Sequence, residues 1–380
     1  MDQLAVTMLL GDTKRYVVIV FGIAISSFLM AHQLAVYDGV MDRTTSLIHD
    51  AHPDGIWVMD RSALNLDDVA YLPAHTLLRV RGCDGVAWVS PYYKNTAIVT
   101  VPVGAHRQVI LIGVDDASLV GLPEEMILGT RAALQTPDGI VVDEGGHAYL
   151  WPGQPLRLGR EVEVNGCRGV LVGVCKGSPP FMSVPVVYAR LTTALRFSPR
   201  PLRPYTFLLV EPAPGRVPGD VCAEIEGRTG LKAVTGREFA RQTRSHYLHN
   251  TAIVFNFAIV IGLGFVVGNA VAGQTFYLFV DHHLGQFANL KAMGLTNARV
   301  ARMVMVQGIA AWLVGCPIGL GLASLVLDLS GGQAPYLSGF VLRWPVTGTV
   351  ATATAVIMLA AGVLSLRRVF AAEAAIVVKE

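Results

Sequence analysis

Charged residues are scarce in this sequence and unevenly placed. They make up 15% of the 380 residues, whereas an average soluble protein contains about 25%. Four stretches contain no Asp, Glu, Lys or Arg, namely residues 17–36, 251–280, 303–327 and 346–366. A helix of about 20 apolar residues crosses the hydrocarbon core of a bilayer. The sequence therefore predicts a membrane protein with four transmembrane helices.

Motifs for ATP hydrolysis and for common hydrolases are also missing. The sequence has no Gly-x-x-x-x-Gly-Lys-Ser/Thr loop, no His-Glu-x-x-His and no Gly-x-Ser-x-Gly. Its net charge of +2 provides no basic field for nucleic acid. We expect this chain to be no enzyme, to hold no cofactor or metal, and to bind no nucleic acid.

Two groups of residues could be interpreted as metal or acid–base sites. One is the set of acidic doublets at 115–116, 124–125 and 143–144, and the other is the pair His282 and His283. Solvated loop charge explains the doublets more simply, and the two histidines adjoin a predicted span. We expect neither group to hold a metal.

The five cysteines do not form a recognisable disulfide framework. The segment 161–174 has the pattern of a β-hairpin that turns at Asn165-Gly166. Cys167 and Cys175 would then lie roughly 26 Å apart along one strand and could not bond to each other. A bridge between Cys83 and Cys222 remains open.

Basic residues in the short connections predict the orientation of the spans. They flank the four spans in three groups: Lys14 and Arg15; Lys291, Arg299 and Arg302; and Arg367, Arg368 and Lys379. In a four-span protein all three groups lie on the same side of the membrane, and an excess of Lys and Arg marks that side as cytoplasmic. We therefore expect an inner (plasma) membrane protein with both termini in the cytoplasm and an extracytoplasmic segment between the first and second spans.

That segment is long enough to form its own hydrophobic core. Strand patterns occur at 55–59, 97–101, 108–113, 139–143, 170–174, 184–188 and 206–210, and helical patterns at 74–80, 191–195 and 219–229. The fold prediction is thus four transmembrane α-helices with a large mixed α+β domain between the first and second. A further helical pattern at 237–248 continues without Gly or Pro into the span at 251, which predicts one unbroken helix.

The connection between the second and third spans contains a specific motif. Phe287-Ala-Asn-Leu-Lys-Ala-Met-Gly294 resembles the F-A-x-L-[KR]-A-[LIM]-G signature of permeases in the MacB/FtsX-like ABC family. Upstream residues, among them Thr235-Gly-Arg-Glu-Phe239 and Gly273-Gln-Thr-Phe-Tyr277, resemble the DevC-type branch. One difference is Gln286, since many members have an acidic residue at that position. Leu284, Phe287 and Leu290 recur at helical spacing, which predicts a short amphipathic helix.

The resemblance implies a division into three parts. Residues 1–40 would hold an N-terminal cytoplasmic segment and the first span, 41–248 the periplasmic domain, and 249–380 the FtsX-like permease domain with three spans and a cytoplasmic tail. In the family the periplasmic domain has two parts, which we would divide near residues 121–143, with a return to the first part near Thr206.

The resemblance also implies a function. It predicts the permease subunit of an ABC transporter, most simply for export of a lipid, glycolipid or other hydrophobic substrate. The implied partners are a separate ABC ATPase, a second copy of this chain, a membrane-fusion protein and membrane lipid. The predicted ATPase-coupling residues are Leu284, Gln286, Phe287, Leu290, Lys291, Met293 and Gly294. The alternative is a non-transporting mechanical relay that activates a cell-wall hydrolase.

Overall fold

The structure is a computed structural model that describes residues 2–101, 104–198, 204–283, 285–286, 291, 293–333 and 340–377. They form two compact units. We call the described residues of Met1–Gly39, Ala252–Gln333 and Ser338–Glu380 the helical unit, and Val40–Thr251 the sheet unit. Helices α1 (Asp2–Gly11) and α2 (Thr13–Arg43) begin the chain, and α2 contains the first predicted span.

The sheet unit combines ten described strands with short helices, as a mixed α+β domain requires. The strands are β1 (Ile56–Met59), β2 (Val86–Thr100), β3 (His106–Val114), β4 (Met126–Gly129), β5 (Gly139–Asp143), β6 (Glu161–Val164), β7 (Cys167–Cys175), β8 (Val186–Arg190), β9 (Phe207–Pro212) and β10 (Lys232–Thr235). The helices are α3 (Ser46–Ala51), α4 (His75–Arg81), α5 (Glu144–Leu150), α6 (Leu191–Phe197), α7 (Pro218–Thr229) and α8 (Gly236–Asn250), and a 3₁₀ turn spans Arg131–Gln135.

The described strands form one sheet in the order β10-β1-β9-β2-β3-β8-β5-β7-β4, with β6 paired to both β2 and β7. The pairs β3–β8 and β5–β7 are parallel, and the other pairs are antiparallel. All seven predicted strands are present. The sequence did not predict β4 and β10, which are four residues long and end the sheet on either side, because such short strands carry little periodic pattern.

The predicted hairpin is confirmed at β6–β7, where Val164 pairs with Cys167. Both turn residues have positive φ, 46° at Asn165 and 82° at Gly166, as a two-residue type I′ turn requires. The Asn165 side chain also accepts a hydrogen bond from the Ile98 amide at 2.8 Å and donates one to the Phe197 carbonyl at 3.0 Å. One turn residue therefore fastens the hairpin to both β2 and the end of α6.

Alternate side chains of β9 serve two apolar cores on opposite faces of the sheet. Phe207 belongs to the core that contains Trp57 and Phe239 of α8. The Trp57 ring centroid lies 5.5 Å from that of Phe207 and 5.5 Å from that of Phe239. Leu208 belongs to the other core, with Ile225 of α7. The period-two pattern of a strand thus places α7 and α8 on different faces.

Two expectations about the sheet unit are wrong. The helix at 237–248 does not run unbroken into the span, because α8 ends at Asn250 and Thr251 is extended, with φ −124° and ψ 151°. The Thr251 hydroxyl donates to the Tyr247 carbonyl at 2.6 Å and so satisfies one of the acceptors that a helix end leaves unpaired. The expected division into two parts does not appear as separate units either, since one sheet continues across residues 121–143.

The helical unit contains three further long helices, α9 (Ala252–His282), α10 (Asn297–Gln333) and α11 (Trp344–Val377). Together with α2, these make four helices among the described residues that are long and apolar enough to cross a membrane. The prediction of four spans, with the α+β domain between the first and second, is confirmed.

Small residues let α2 approach two of these helices closely. A Cβ added at Gly268 of α9 would lie 1.9 Å from the Ser26 hydroxyl oxygen, and one added at Gly319 of α10 would lie 2.3 Å from the Ala24 carbonyl oxygen. Such contacts are typical of membrane helices, where association depends on close van der Waals packing. A larger residue at Gly319 would push against backbone atoms, which have no rotamer to change.

Candidate functional site

The connection between α9 and α10 contains all the predicted coupling residues, and the structure describes part of it. Three of them lie outside the described residues: Leu284, Phe287 and Leu290. Their common apolar face stays a prediction. Gly285, Gln286 and Lys291 have helical backbone, so the described positions agree with a short helix here.

Gly294 ends this short helix with a backbone that favours glycine. Its φ is 94°, and its amide donates to the Lys291 carbonyl at 2.8 Å. A Cβ at this position would meet no atom within 4 Å. The conformation, not crowding, therefore disfavours other residues here, because L-residues adopt positive φ only at a cost.

The two ends of the connection are fixed to the long helices. His283 is 6% exposed, its Nδ1 lies 2.8 Å from the Phe279 carbonyl oxygen, and its ring centroid lies 4.4 Å from that of Phe279. At the other end the amides of Arg299 and Val300 donate to the Thr296 carbonyl at 2.9 and 3.2 Å. His283 is thus a packing residue of α9.

Between these fixed ends the connection presents side chains to the surroundings. Met293 is 72% exposed, and Gln286 is exposed as well. Lys291 is half-buried and interacts with a neighbouring group. A large exposed methionine beside a short helix provides an adaptable apolar surface.

A buried polar chain joins α8 to the middle of the sheet. The Tyr247 hydroxyl donates to one oxygen of Asp67 at 2.6 Å, and the Lys94 ammonium group of β2 donates to the other oxygen. The ammonium group also donates to the Leu66 carbonyl at 3.1 Å, and Lys94 is 4% exposed. Burial, followed by the charge of Asp67, raises the pKa of Tyr247, so the phenol stays protonated and remains a donor.

Sequence reasoning did not find this chain of contacts. The spacing of Phe239, Thr243 and Tyr247 indicated one helix face, and all three residues are buried. Asp67, the partner of Tyr247, is however 180 positions away in the sequence, and Lys94 reaches the network only through Asp67. The available signal was Lys94 within a run of strand-forming residues, where an unpaired lysine is unfavourable.

The acidic doublets have local structural partners. Asp115 accepts from the Ser118 amide at 2.9 Å, and Asp116 accepts from the Thr192 amide at 3.1 Å. Asp143 caps α5 by accepting from Gly146 at 3.0 Å and also accepts from the Val186 amide at 2.7 Å. Within the part of the chain that the structure describes, no three His, Cys, Asp or Glu residues are grouped to hold a metal.

The five cysteines are free thiols. Cys83 and Cys222 are both buried in the apolar core beneath α7. Burial raises the pKa of the Cys222 thiol to about 11 and also raises that of Cys83. Both side chains therefore pack as small neutral groups, without the bridge that the sequence left open.

Comparison with known proteins gives a match to one family and several solved structures. The family model of the FtsX-like permease C-terminal domain matches residues 258–374. The periplasmic region of MacB from Actinobacillus actinomycetemcomitans is 13% identical, with a TM-score of 0.40, covering 51% of this chain and 94% of that one. The extracellular domain of the noncanonic ABC-type transporter YknZ from Gram-positive bacteria is 14% identical, with a TM-score of 0.37, covering 48% and 99%.

A domain of a putative permease protein from Porphyromonas gingivalis is 14% identical, with a TM-score of 0.32, covering 49% of this chain and 88% of that one. No curated protein matches. The FtsX-like match contains almost all of α9, the connection with Gly294, and all of α10. Residues 258–374 of this chain therefore match an FtsX-like permease C-terminal domain, which supports the resemblance of the motif to the MacB/FtsX-like family.

Proposed function

We propose that this chain is the membrane subunit of an ABC exporter that moves a lipid, glycolipid or other hydrophobic substrate, and that a separate ATPase chain supplies the energy. The observation that carries the proposal is the FtsX-like domain at 258–374, with its exposed connection between α9 and α10. In this proposal two copies of the chain bind two ATPases in the inner membrane, both termini are cytoplasmic, and a membrane-fusion protein contacts the sheet unit. Assignment to the DevC-type branch belongs to the same proposal.

The ATPase would bind the connection through its exposed residues. Gln286 and Met293 are available at the surface, and Phe287 is the apolar anchor that the helical spacing predicts. A helix that inserts into a groove concentrates binding energy in a few apolar residues. The positive φ of Gly294 would set where this helix ends and therefore which side chains reach the ATPase.

Movement would pass from this connection along α9 to the sheet unit. α9 follows Thr251 directly in the chain, and α8 precedes it. Because Thr251 is extended, this link would act as a joint between two helices instead of one rigid lever. Beyond the joint, the hydrogen bond from Tyr247 to Asp67 would carry the movement to β2.

Mechanical movement agrees with the composition of the spans. The four charge-free stretches in the sequence contain no ionisable Asp, Glu, Lys or Arg that would mark a polar transport path. A relay that activates a cell-wall hydrolase would use the same parts without moving a substrate. The two functions differ in one measurable result: an exporter releases lipid from the membrane when ATP is hydrolysed, and a relay does not.

One reconstitution tests the proposal. The chain and the ATPase that copurifies with it are placed in liposomes, and ATP-dependent release of a fluorescent lipid to an acceptor is measured. We expect release that needs both chains, and we expect Phe287→Ala to lose most ATPase binding, since a buried aromatic anchor is worth about 2 kcal/mol or more. His282→Ala is the matched control.

Three results would contradict parts of this scheme. ATP hydrolysis by the chain alone would refute the separate ATPase. Equal ATPase binding by Phe287→Ala and His282→Ala would refute the coupling role of the connection. ATP-driven change in the sheet unit without lipid release would refute export and favour the relay.

A further inference from the structure

The helical unit contains an apolar crevice between α10 and α11. Its volume is about 260 Å³. The lining residues that matter here are Met305, Gly308, Ile309 and Trp312 of α10, with Ala355 and Met358 of α11. Phe276 of α9 is fully buried, and a Cβ added at Gly308 would lie 3.7 Å from its ring. The ring therefore packs close to Gly308, one of the residues that line the crevice.

The crevice is open on one side and closed at one end. Ile309 is 46% exposed and Leu359 is 43% exposed, so its rim faces the surroundings of the helix pair. At the end beside Trp312, the indole nitrogen donates to the Thr354 hydroxyl at 3.0 Å. This hydrogen bond satisfies the polar groups there and leaves only apolar surface inside.

The position of the crevice along the spans limits what can reach it. It is lined by residues 304–312 of α10, which belong to the charge-free stretch 303–327. At that depth the surrounding medium is hydrocarbon. Arg302 lies one helical turn before Met305 on the same side of α10, so the crevice begins close to a membrane surface.

The size of the crevice limits what it can hold. Residues 304–312 span about 12 Å along the axis of α10. The cavity of about 260 Å³ has room for a hydrocarbon chain or a side chain, and not for the backbone of another helix. A thin, flexible hydrocarbon chain fits the dimensions, and the thioethers of Met305 and Met358 can adjust to its path.

We propose that this crevice binds one fatty acyl chain of a membrane phospholipid from the leaflet on the side of Arg302, with the lipid phosphate near that guanidinium group. The occupant is a resident lipid of the permease, so this site does not depend on whether the protein exports a substrate or acts as a relay. The bound chain would fill the space between α10 and α11 that the side chains of the protein leave open.

Photolabelling of the full chain tests the proposal. The probe is a phosphatidylglycerol with a diazirine in the middle of one acyl chain, added to nanodiscs that contain the protein. Labelled positions are mapped by mass spectrometry in two samples, one illuminated in the nanodiscs and the other illuminated only after it has been washed into lipid-free detergent, because a covalent label cannot be washed off. We expect label at Met305 and Met358 to survive the wash, whereas label at the outward-facing Leu325 and Leu329 falls at least tenfold.

A filling variant and its control sharpen the test. Gly308→Leu places a side chain inside the crevice, and its Cβ makes only ordinary contacts with Phe276 and Met358. Gly321→Leu adds the same side chain on the same helix where a Cβ meets no atom within 4 Å. We expect Gly308→Leu to lower the crevice label at least fivefold and Gly321→Leu to leave it unchanged.

Labelling that the wash removes equally from the crevice and from the outward face would overturn the proposal. So would a crevice label that Gly308→Leu leaves intact, or the absence of label in the crevice before the wash. Ala355→Leu fills the same space from α11 and replaces Gly308→Leu if that variant unfolds. The comparison of washed and unwashed samples uses the unmodified protein, so it can refute the proposal even if every variant unfolds.

Discussion

The close approach of α2 and α10 predicts that added methyl groups destabilise the helical unit in a graded way. Gly319→Ala is the main perturbation, because its Cβ would lie 2.3 Å from the Ala24 carbonyl oxygen and 2.9 Å from the Phe28 amide nitrogen. Both are backbone atoms of α2. Ordinary contacts are about 3.5 Å or longer, so the two helices must separate by about 1 Å.

The expected cost follows from this geometry. Overpacking in a close-packed interior costs about 1–3 kcal/mol, and a rigid backbone contact places Gly319→Ala near the upper limit. Gly321→Ala, in the same helix, meets no atom within 4 Å. Both substitutions gain the same helix propensity of about 1 kcal/mol. Their difference therefore isolates the packing cost, about 3 kcal/mol, or roughly a hundredfold in the folding equilibrium.

Reversible unfolding in mixed micelles with increasing SDS measures this difference. Gly315→Ala adds an intermediate point, because its Cβ would lie 2.8 Å from the Ile23 Cβ and 2.9 Å from the Val20 carbonyl oxygen, and these contacts are less close than the 2.3 Å at Gly319. We expect the order Gly319→Ala, Gly315→Ala, Gly321→Ala from least to most stable. Equal free energies of unfolding for Gly319→Ala and Gly321→Ala would refute the close packing of α2 on α10.

Three further predictions concern the connection, α8 and the topology. Gly294→Val should weaken ATPase binding in pull-downs, since a non-glycine residue at a φ of 94° costs about 1–2 kcal/mol. Gly285→Ala, at a helical position, should leave binding unchanged, and equal binding by the two variants would contradict the role of Gly294 in ending the helix. Tyr247→Phe should raise the rate of amide hydrogen exchange in α8 about tenfold or more, because a hydrogen bond to a carboxylate is worth about 1.5–3 kcal/mol. An unchanged rate would show that the bond to Asp67 does not stabilise α8. In a cysteine-free background, Leu156→Cys should react with an impermeant thiol reagent from outside and Thr296→Cys only from inside; labelling of both from one side would refute the orientation.

Local patterns in the sequence determined much of this protein. The four charge-free stretches determined the four long apolar helices. A segment surrounded by hydrocarbon must form all its backbone hydrogen bonds within itself, and a helix does so. Alternation determined seven strands, and Asn165-Gly166 determined a hairpin, because a two-residue turn with positive φ suits few other residues. The motif ending in Gly294 pointed to the permease family. These properties depend on neighbours within a few positions.

Other properties were decided only by the tertiary structure. No Gly or Pro in the sequence signals the break at Thr251. The structure shows instead that the Thr251 hydroxyl donates to the Tyr247 carbonyl at the end of α8. The hydrogen bond of Tyr247 to Asp67, the contact of Gly319 with Ala24, and the crevice between α10 and α11 join segments far apart in the chain. A sequence pattern shows that a residue is apolar, small or charged, whereas its partner depends on how the whole chain packs. Those partners exist only after the fold has brought the segments together.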